Sequence, residues 1–187
     1  MEIKTAYIIL ADGFEEIEAL GTMDVLRRLH VFVHSVGLDS KTVRGSHHIL
    51  VEADETFATA KFDEAFAIIL PGGLPGATNL RDSARLRDIL RKFNTQGKLL
   101  CAICAAPTVL AAAGIASGHT VTGYPGCEEL AGVPVKFTGA MVEHDGNLIT
   151  AKGPGATFLF AAEIARAFGV AEPQIQQVLE GMFVAAK

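Results

Sequence analysis

Cys104 follows the apolar run Leu99-Leu100-Cys101-Ala102-Ile103 and is followed at once by Ala105, Ala106 and Pro107. A run of this kind reads as a fully buried strand, and Pro107 fits the first turn of a helix that continues through Thr108, Val109 and Leu110 and stops at Gly114. A cysteine at such a strand-to-helix corner has its side chain exposed at the sheet edge, where the positive end of the following helix favours thiolate over thiol. Cys104 is therefore a candidate nucleophile, weighed against the plainer alternative of a small buried core residue. The backbone N–H of Ala105, together with one from the Gly72-Gly73 turn, could hold an oxyanion formed at that corner.

Cys101 and Cys104 make a CxxC pair, but a redox pair of that spacing opens a helix, whereas this one runs along a strand. At about 3.3 Å per residue the two lie roughly 10 Å apart, and their odd spacing predicts opposite faces, so no disulfide is expected between them. Cys127, just beyond Pro125 in a loop expected to border the same site, is given no resolving role. The uncharged run from Leu99 to Ala116 is long enough to be tested as a membrane span. It fails on content, because Pro107 interrupts it and alanine rather than leucine or isoleucine fills it.

The elements that must position Cys104 follow from the rest of the chain. With 187 residues, half of them apolar, one sizeable core and a single domain over 1–187 are expected. A net charge of -5 and a pI near 5.7 argue against a nucleic-acid partner. Low aromatic content and no Trp favour helix-on-sheet packing, an α/β domain. The start of the chain lacks a basic n-region and a small-residue cleavage site, and an odd number of cysteines makes no disulfide framework. Reduced thiols in the cytoplasm are the expectation.

Periodicity predicts a strand at Thr5–Leu10, a helix over "GFEEIEALGTMDVLRRL" and a strand from Val31 to Gly37, which is a βαβ unit. A hairpin is expected from about Thr42 to Asp54, then the buried strand "FAIILPGG" and one helix over "ATNLRDSARLRDILRKF". After the strand that leads to Cys104, a strand near Thr120-Val121-Thr122 and a hairpin at Asp145-Gly146 precede the closing helices. Such alternation implies a mainly parallel sheet covered on both faces, with the ligand site beyond the carboxyl ends of its strands. The segments "ADGFEEIEA", "LPGGLPGA" and "ICAAP" should therefore converge.

Those segments, with "KGPGATFLFA", resemble the DJ-1/ThiJ/PfpI superfamily in order and spacing over nearly the whole chain, on the side of its DJ-1 and ThiJ-like branch. The resemblance implies a flavodoxin-like three-layer α/β sandwich, a homodimer, and a reactive cysteine on a nucleophile elbow beside a glutamate of the first helix. Those positions are Cys104 and Glu18. An ionised carboxylate would repel a thiolate, whereas a protonated one could donate a hydrogen bond to sulfur, so Glu18 should be neutral. Glu15 shares a helix face with Glu18 and is a possible pocket residue, although charge complementarity at a helix N-terminus accounts for Glu15 and Glu16 without one.

Two departures limit the parallel. Ala105 stands where many PfpI-type members have a histidine, which disfavours proteolysis, and Tyr124 stands where DJ-1-like proteins often have another. His47 and His48 point to opposite faces if they lie on a strand, so at most one, His47, faces the pocket. Gly153-Pro154-Gly155 would cap a strand and start a helix, and the backbone at Pro154 could line the pocket. The remaining histidines are scattered without ligand spacing, so neither a metal nor a cofactor is expected. The resemblance implies glyoxalase- or deglycase-type action on a small α-oxoaldehyde or a glycated substrate. The alternative is a stress-responsive redox sensor or chaperone whose cysteine oxidises to the sulfinic state. A role in thiazole or thiamin synthesis has little support in the residues.

Overall fold

The computed structural model describes residues 4–184. Nine strands appear: β1 (Thr5–Leu10), β2 (Phe32–Gly37), β3 (Thr42–Arg44), β4 (Leu50–Glu52), β5 (Glu55–Thr56), β6 (Ala67–Leu70), β7 (Leu99–Ile103), β8 (Val142–Asp145) and β9 (Leu148–Ala151). Six helices accompany them: α1 (Thr22–Arg28), α2 (Gly76–Asp82), α3 (Ala84–Thr95), α4 (Pro107–Ala112), α5 (Thr157–Phe168) and α6 (Glu172–Gly181). Seven strands form one sheet in the order β5-β2-β1-β6-β7-β9-β8, parallel except for the final β9–β8 pair, and β3 with β4 forms a separate hairpin. This is a flavodoxin-like α/β fold.

The central strands β6 and β7 are buried at every position, as strands covered on both faces must be. Alternation of side chains divides their residues between two cores. Ile69, Cys101 and Ile103 meet Val25, Leu26, Phe160, Ile164, Ile175 and Leu179 from α1, α5 and α6. On the opposite face Ile68, Leu70, Leu100 and Ala102 meet Leu80, Leu86, Leu90, Phe93, Val109 and Leu110 from α2, α3 and α4. Helix α3 shows why its sequence folds this way: Leu86, Leu90 and Phe93 recur at helical spacing and are buried, while Arg85, Arg87 and Arg91 lie on the outer side. Among the described residues no helix is long and apolar enough to cross a membrane.

Three sequence expectations are corrected. The single helix expected over 77–93 is two, because Ser83 turns to extended backbone and its hydroxyl caps α3 by accepting the Leu86 N–H at 3.3 Å. The expected strand near Thr120 is no more than one bridge, Val121 to Phe137. The helix after Cys104 stops where expected, with Ala113 as its cap and Gly114 left-handed just beyond (φ 78°). Cys101 and Cys104 belong to the same core rather than to opposite faces, because the left-handed conformation of Cys104 (φ 65°) breaks strand alternation. All three cysteines are free thiols.

Candidate active site

The turn after β1 feeds a π-helical turn, Ile17–Gly21, that runs directly into α1. Its widened spacing leaves Ile17 in solvent at 56% exposure while Glu18 and Ala19 are fully buried. The Glu15 N–H donates to the Gly72 carbonyl at 2.9 Å, which ties this turn to the loop after β6. Glu18 then points across that loop, and its Oε2 accepts the Gly72 N–H at 2.8 Å.

Cys104 sits beyond β7 with a positive φ that few non-glycine residues adopt, held by two backbone hydrogen bonds. Its N–H donates to the Ala151 carbonyl at 2.9 Å and its carbonyl accepts the Tyr124 N–H at 2.8 Å. The three segments meet at Gly72. A Cβ there would fall 2.6 Å from Cys104 Cβ, 2.8 Å from Glu18 Oε2 and 3.0 Å from the Ala105 nitrogen, so only glycine permits the approach.

Burial pushes the Glu18 carboxyl up to about 7, aided by the nearby Glu15 charge, against the downward pull of the Cys104 thiol and the Gly72 N–H. Glu18 Oε1 is buried with no partner in regular hydrogen-bond geometry, so the pull of the thiol acts through a contact that falls short of a well-formed bond. Burial, and then an ionised Glu18, push the Cys104 thiol up, while the N–H groups of Gly73 and Ala105 pull it down. The sequence expectation of a freely exposed sulfur steered by a helix end is thereby corrected. Cys104 is only 9% exposed, α4 is a helix of six residues, and the sulfur and the carboxyl titrate as one coupled pair.

Stability should report this coupling. In the coupled pair Glu18 is raised from its ordinary 4.5 to about 7, so the stabilising effect of the pair's extra proton is complete below about pH 4.5 and is lost as pH rises through about 7, whichever of the two atoms releases it. Wild type is expected to lose about 3 kcal/mol across that window, a loss absent from Glu18→Gln, and urea midpoints measured at its two ends read it out. Parallel pH profiles for the two proteins would contradict it.

The other expected site residues separate into two groups. Gly73 and Ala105 present N–H groups to the sulfur, but the Gly72 N–H is already bonded to Glu18 and is no free oxyanion donor. Tyr124 is half exposed, and its ring and the sulfur both border Gly153, where a Cβ would be 3.2 Å from Tyr124 Cδ2 and 4.0 Å from Cys104 Sγ. Pro154 opens the short turn leading to α5, so it is Gly153, one residue earlier, that meets the site.

His47 turns its ring to Glu16. Its Nδ1 lies 2.9 Å from Glu16 Oε2 and its backbone N–H donates to Glu16 Oε1 at 2.8 Å. Burial alone would raise Glu16, but bonds from the His47 side chain and from backbone and Ser46 donors hold it down at about 2, while Glu16 in turn raises His47. The Ser46 hydroxyl also reaches Glu15 Oε2 at 3.3 Å. Glu15, Glu16 and His47 thus bring three possible metal-ligand atoms within 4.8 Å of one another. Sequence spacing gave no sign of this group, because the glutamates and His47 come from separate segments that only the fold brings together.

A cavity of about 800 Å³ opens at the other end of the sheet, lined by Lys4, Phe32, Phe66, Lys98 and Phe168. It lies at the beginnings of the strands, away from the carboxyl ends where this fold class assembles its sites, and it holds none of the cysteines.

Residues 4–167 match the model of the DJ-1/PfpI family. The chain is 39% identical over 184 residues to Protein dj-1beta of Drosophila melanogaster, covering 97% of this chain and 98% of that protein. The crystal structure of Drosophila DJ-1beta superposes with a TM-score of 0.91 at 38% identity, over 98% of this chain and 99% of that one. The structure of oxidized Toxoplasma gondii DJ-1 gives a TM-score of 0.90 at 30% identity, over 98% of this chain and all of that one (100%). Deglycase PH1704 of Pyrococcus horikoshii is 29% identical over 160 residues, covering 84% of this chain and 95% of that protein.

Proposed function

This chain belongs to the DJ-1/PfpI family, and from that premise we propose that it is a cofactor-independent cysteine enzyme acting on small α-oxoaldehydes such as methylglyoxal. The single observation that carries the reading is the meeting of Cys104, Glu18 and the free N–H groups of Gly73 and Ala105 around Gly72. With Glu18 protonated, its field and its demand on the thiol proton both vanish, and the two N–H groups favour charge on sulfur. Glu18, fully buried with one N–H and an unpaired oxygen, is the poorer home for that charge.

The Cys104 thiolate adds to the aldehyde carbon, and the new alkoxide takes a proton from Glu18 to give a hemithioacetal. The Glu18 carboxylate removes the proton from the former aldehyde carbon and returns it to the neighbouring carbon, while the hemithioacetal hydroxyl proton passes to the former ketone oxygen, which turns the ketone into an alcohol and leaves a thioester. Water then cleaves the thioester, its hydroxyl going to the acyl carbon and its other proton to Glu18, which releases the hydroxy acid and restores both the thiolate and the protonated carboxyl. The net change is one aldehyde plus one water to one hydroxy acid, with no external oxidant or reductant. The relative named as a deglycase supports the same class of substrate, extended to glycated adducts. Free thiols support a reducing compartment such as the cytoplasm, and family membership supports a homodimer built from one-domain subunits.

A second reading has its own observation. The unpaired Glu18 Oε1 and the N–H groups that Gly73 and Ala105 present to the sulfur could bond the oxygens of a sulfinate at Cys104, and the Toxoplasma gondii relative of the same fold is an oxidized DJ-1. Purified protein incubated with methylglyoxal and assayed for lactate tests the first reading, and mild peroxide followed by intact-mass analysis tests the second. Lactate formation above the buffer rate is expected; none at all would defeat the enzyme reading, and no gain of two oxygens would defeat the sensor.

A further inference from the structure

Tyr124 is tied to the reacting cysteine by its backbone, and its ring borders the same glycine as the sulfur. Its N–H donates to the Cys104 carbonyl at 2.8 Å, and its own carbonyl closes a turn by accepting the Cys127 N–H at 3.0 Å. The preceding Gly123 is pressed between the Phe137 ring and that same Cys104 carbonyl, since a Cβ on it would lie 2.4 Å from Phe137 Cε2 and 2.9 Å from the carbonyl oxygen. The loop therefore cannot shift without moving the nucleophile. On the far side a Cβ built on Gly153 would lie 3.2 Å from Tyr124 Cδ2 and 4.0 Å from Cys104 Sγ, so ring and sulfur border the same glycine. Tyr124 remains half exposed, so part of it is open to a ligand.

We propose that Tyr124 is a specificity-determining residue whose ring, held next to Cys104 Sγ across Gly153, stacks on the carbonyl substituent of the substrate and favours aryl over alkyl α-oxoaldehydes. The inference rests on Cys104 being the reacting atom. Once an aldehyde carbon is bonded to Sγ, its substituent leaves along the open wall formed by Tyr124. A methyl group gains little there, whereas a phenyl group pairs with the ring. The ring and not the phenol hydroxyl does this, because the ring carbons Cδ2 and Cε2 are what approach Gly153, the glycine the sulfur also borders.

The test compares kcat/KM for phenylglyoxal and methylglyoxal in wild type, Tyr124→Ala and Tyr124→Phe. Tyr124→Ala is expected to lower the aryl-to-alkyl ratio about five-fold, the scale of one aromatic pair, and Tyr124→Phe to keep it. The ratio is measured a second way, from rates of Cys104 alkylation by 2-bromoacetophenone and by bromoacetone, which needs no turnover. An unchanged ratio in Tyr124→Ala by both routes, or an equal loss in Tyr124→Phe, would overturn the proposal. If neither aldehyde is turned over but the alkylation ratio falls in Tyr124→Ala alone, the enzyme reading fails and the role of the ring stands.

Discussion

Cys104→Ser is expected to lower kcat/KM for methylglyoxal by roughly a thousand-fold or more, to the level of the uncatalysed reaction. Serine keeps the volume and the corner, so circular dichroism and the urea midpoint should stay near wild type. What it loses is acidity. A hydroxyl at this place would need a strong base to remove its proton, and neither Ala105 nor Tyr124 beside it supplies an imidazole. Glu18 cannot be that base, because burial holds its proton up to about 7 and a neutral carboxyl removes nothing. A thiol can share a proton with such an acid; an alcohol cannot. Lactate formation by Cys104→Ser at the wild-type rate would move the chemistry away from this sulfur altogether.

Glu18→Leu should cost about a hundred- to ten-thousand-fold in the same assay, the usual scale for losing a group that both gives and takes a proton. Glu18→Gln separates the two tasks. Glutamine retains an N–H donor for the sulfur, so the pH midpoint of Cys104 alkylation should change little, yet turnover should fall as far as in Glu18→Leu because an amide takes up no proton. Glu18→Leu has no donor at all, and its alkylation midpoint should rise clearly. A fall in that midpoint would mean that the carboxyl had been ionised beside the thiol, repelling it, and the assignment of charge to sulfur would be wrong.

The fold was largely legible because its central strands are continuous apolar runs and its strands and helices alternate. "AIIL" and "LLCAI" can only be buried parallel strands, and the Pro after Cys104 marks where a helix starts. Breaks that depend on a single side chain were harder to see. Ser83 splits one expected helix into α2 and α3 by capping the second, a choice that periodicity does not register. Cys104 and Glu18 were legible through the motifs that carry them. The environment of the pair was not, since it depends on what covers the sulfur: Gly72 on one side, and Gly153 with Tyr124 on another. The coupling of sulfur to a protonated carboxyl was expected, but residues distant in the chain bury a thiol that was expected to be exposed at the sheet edge. The same distance hid the Glu16–His47 pair, whose partners come from α1's lead-in turn and from the β3–β4 hairpin.

The central claim is that Cys104 and Glu18 hold one proton between them at neutral pH and that the carboxyl keeps it. A pH titration that follows the ultraviolet absorbance of thiolate and the infrared band of a protonated carboxyl in the same sample, each taken as the difference from Cys104→Ser, tests it most directly. The account predicts that, as pH rises, thiolate absorbance appears while the protonated-carboxyl band persists. Loss of the carboxyl band with no thiolate absorbance appearing would contradict it.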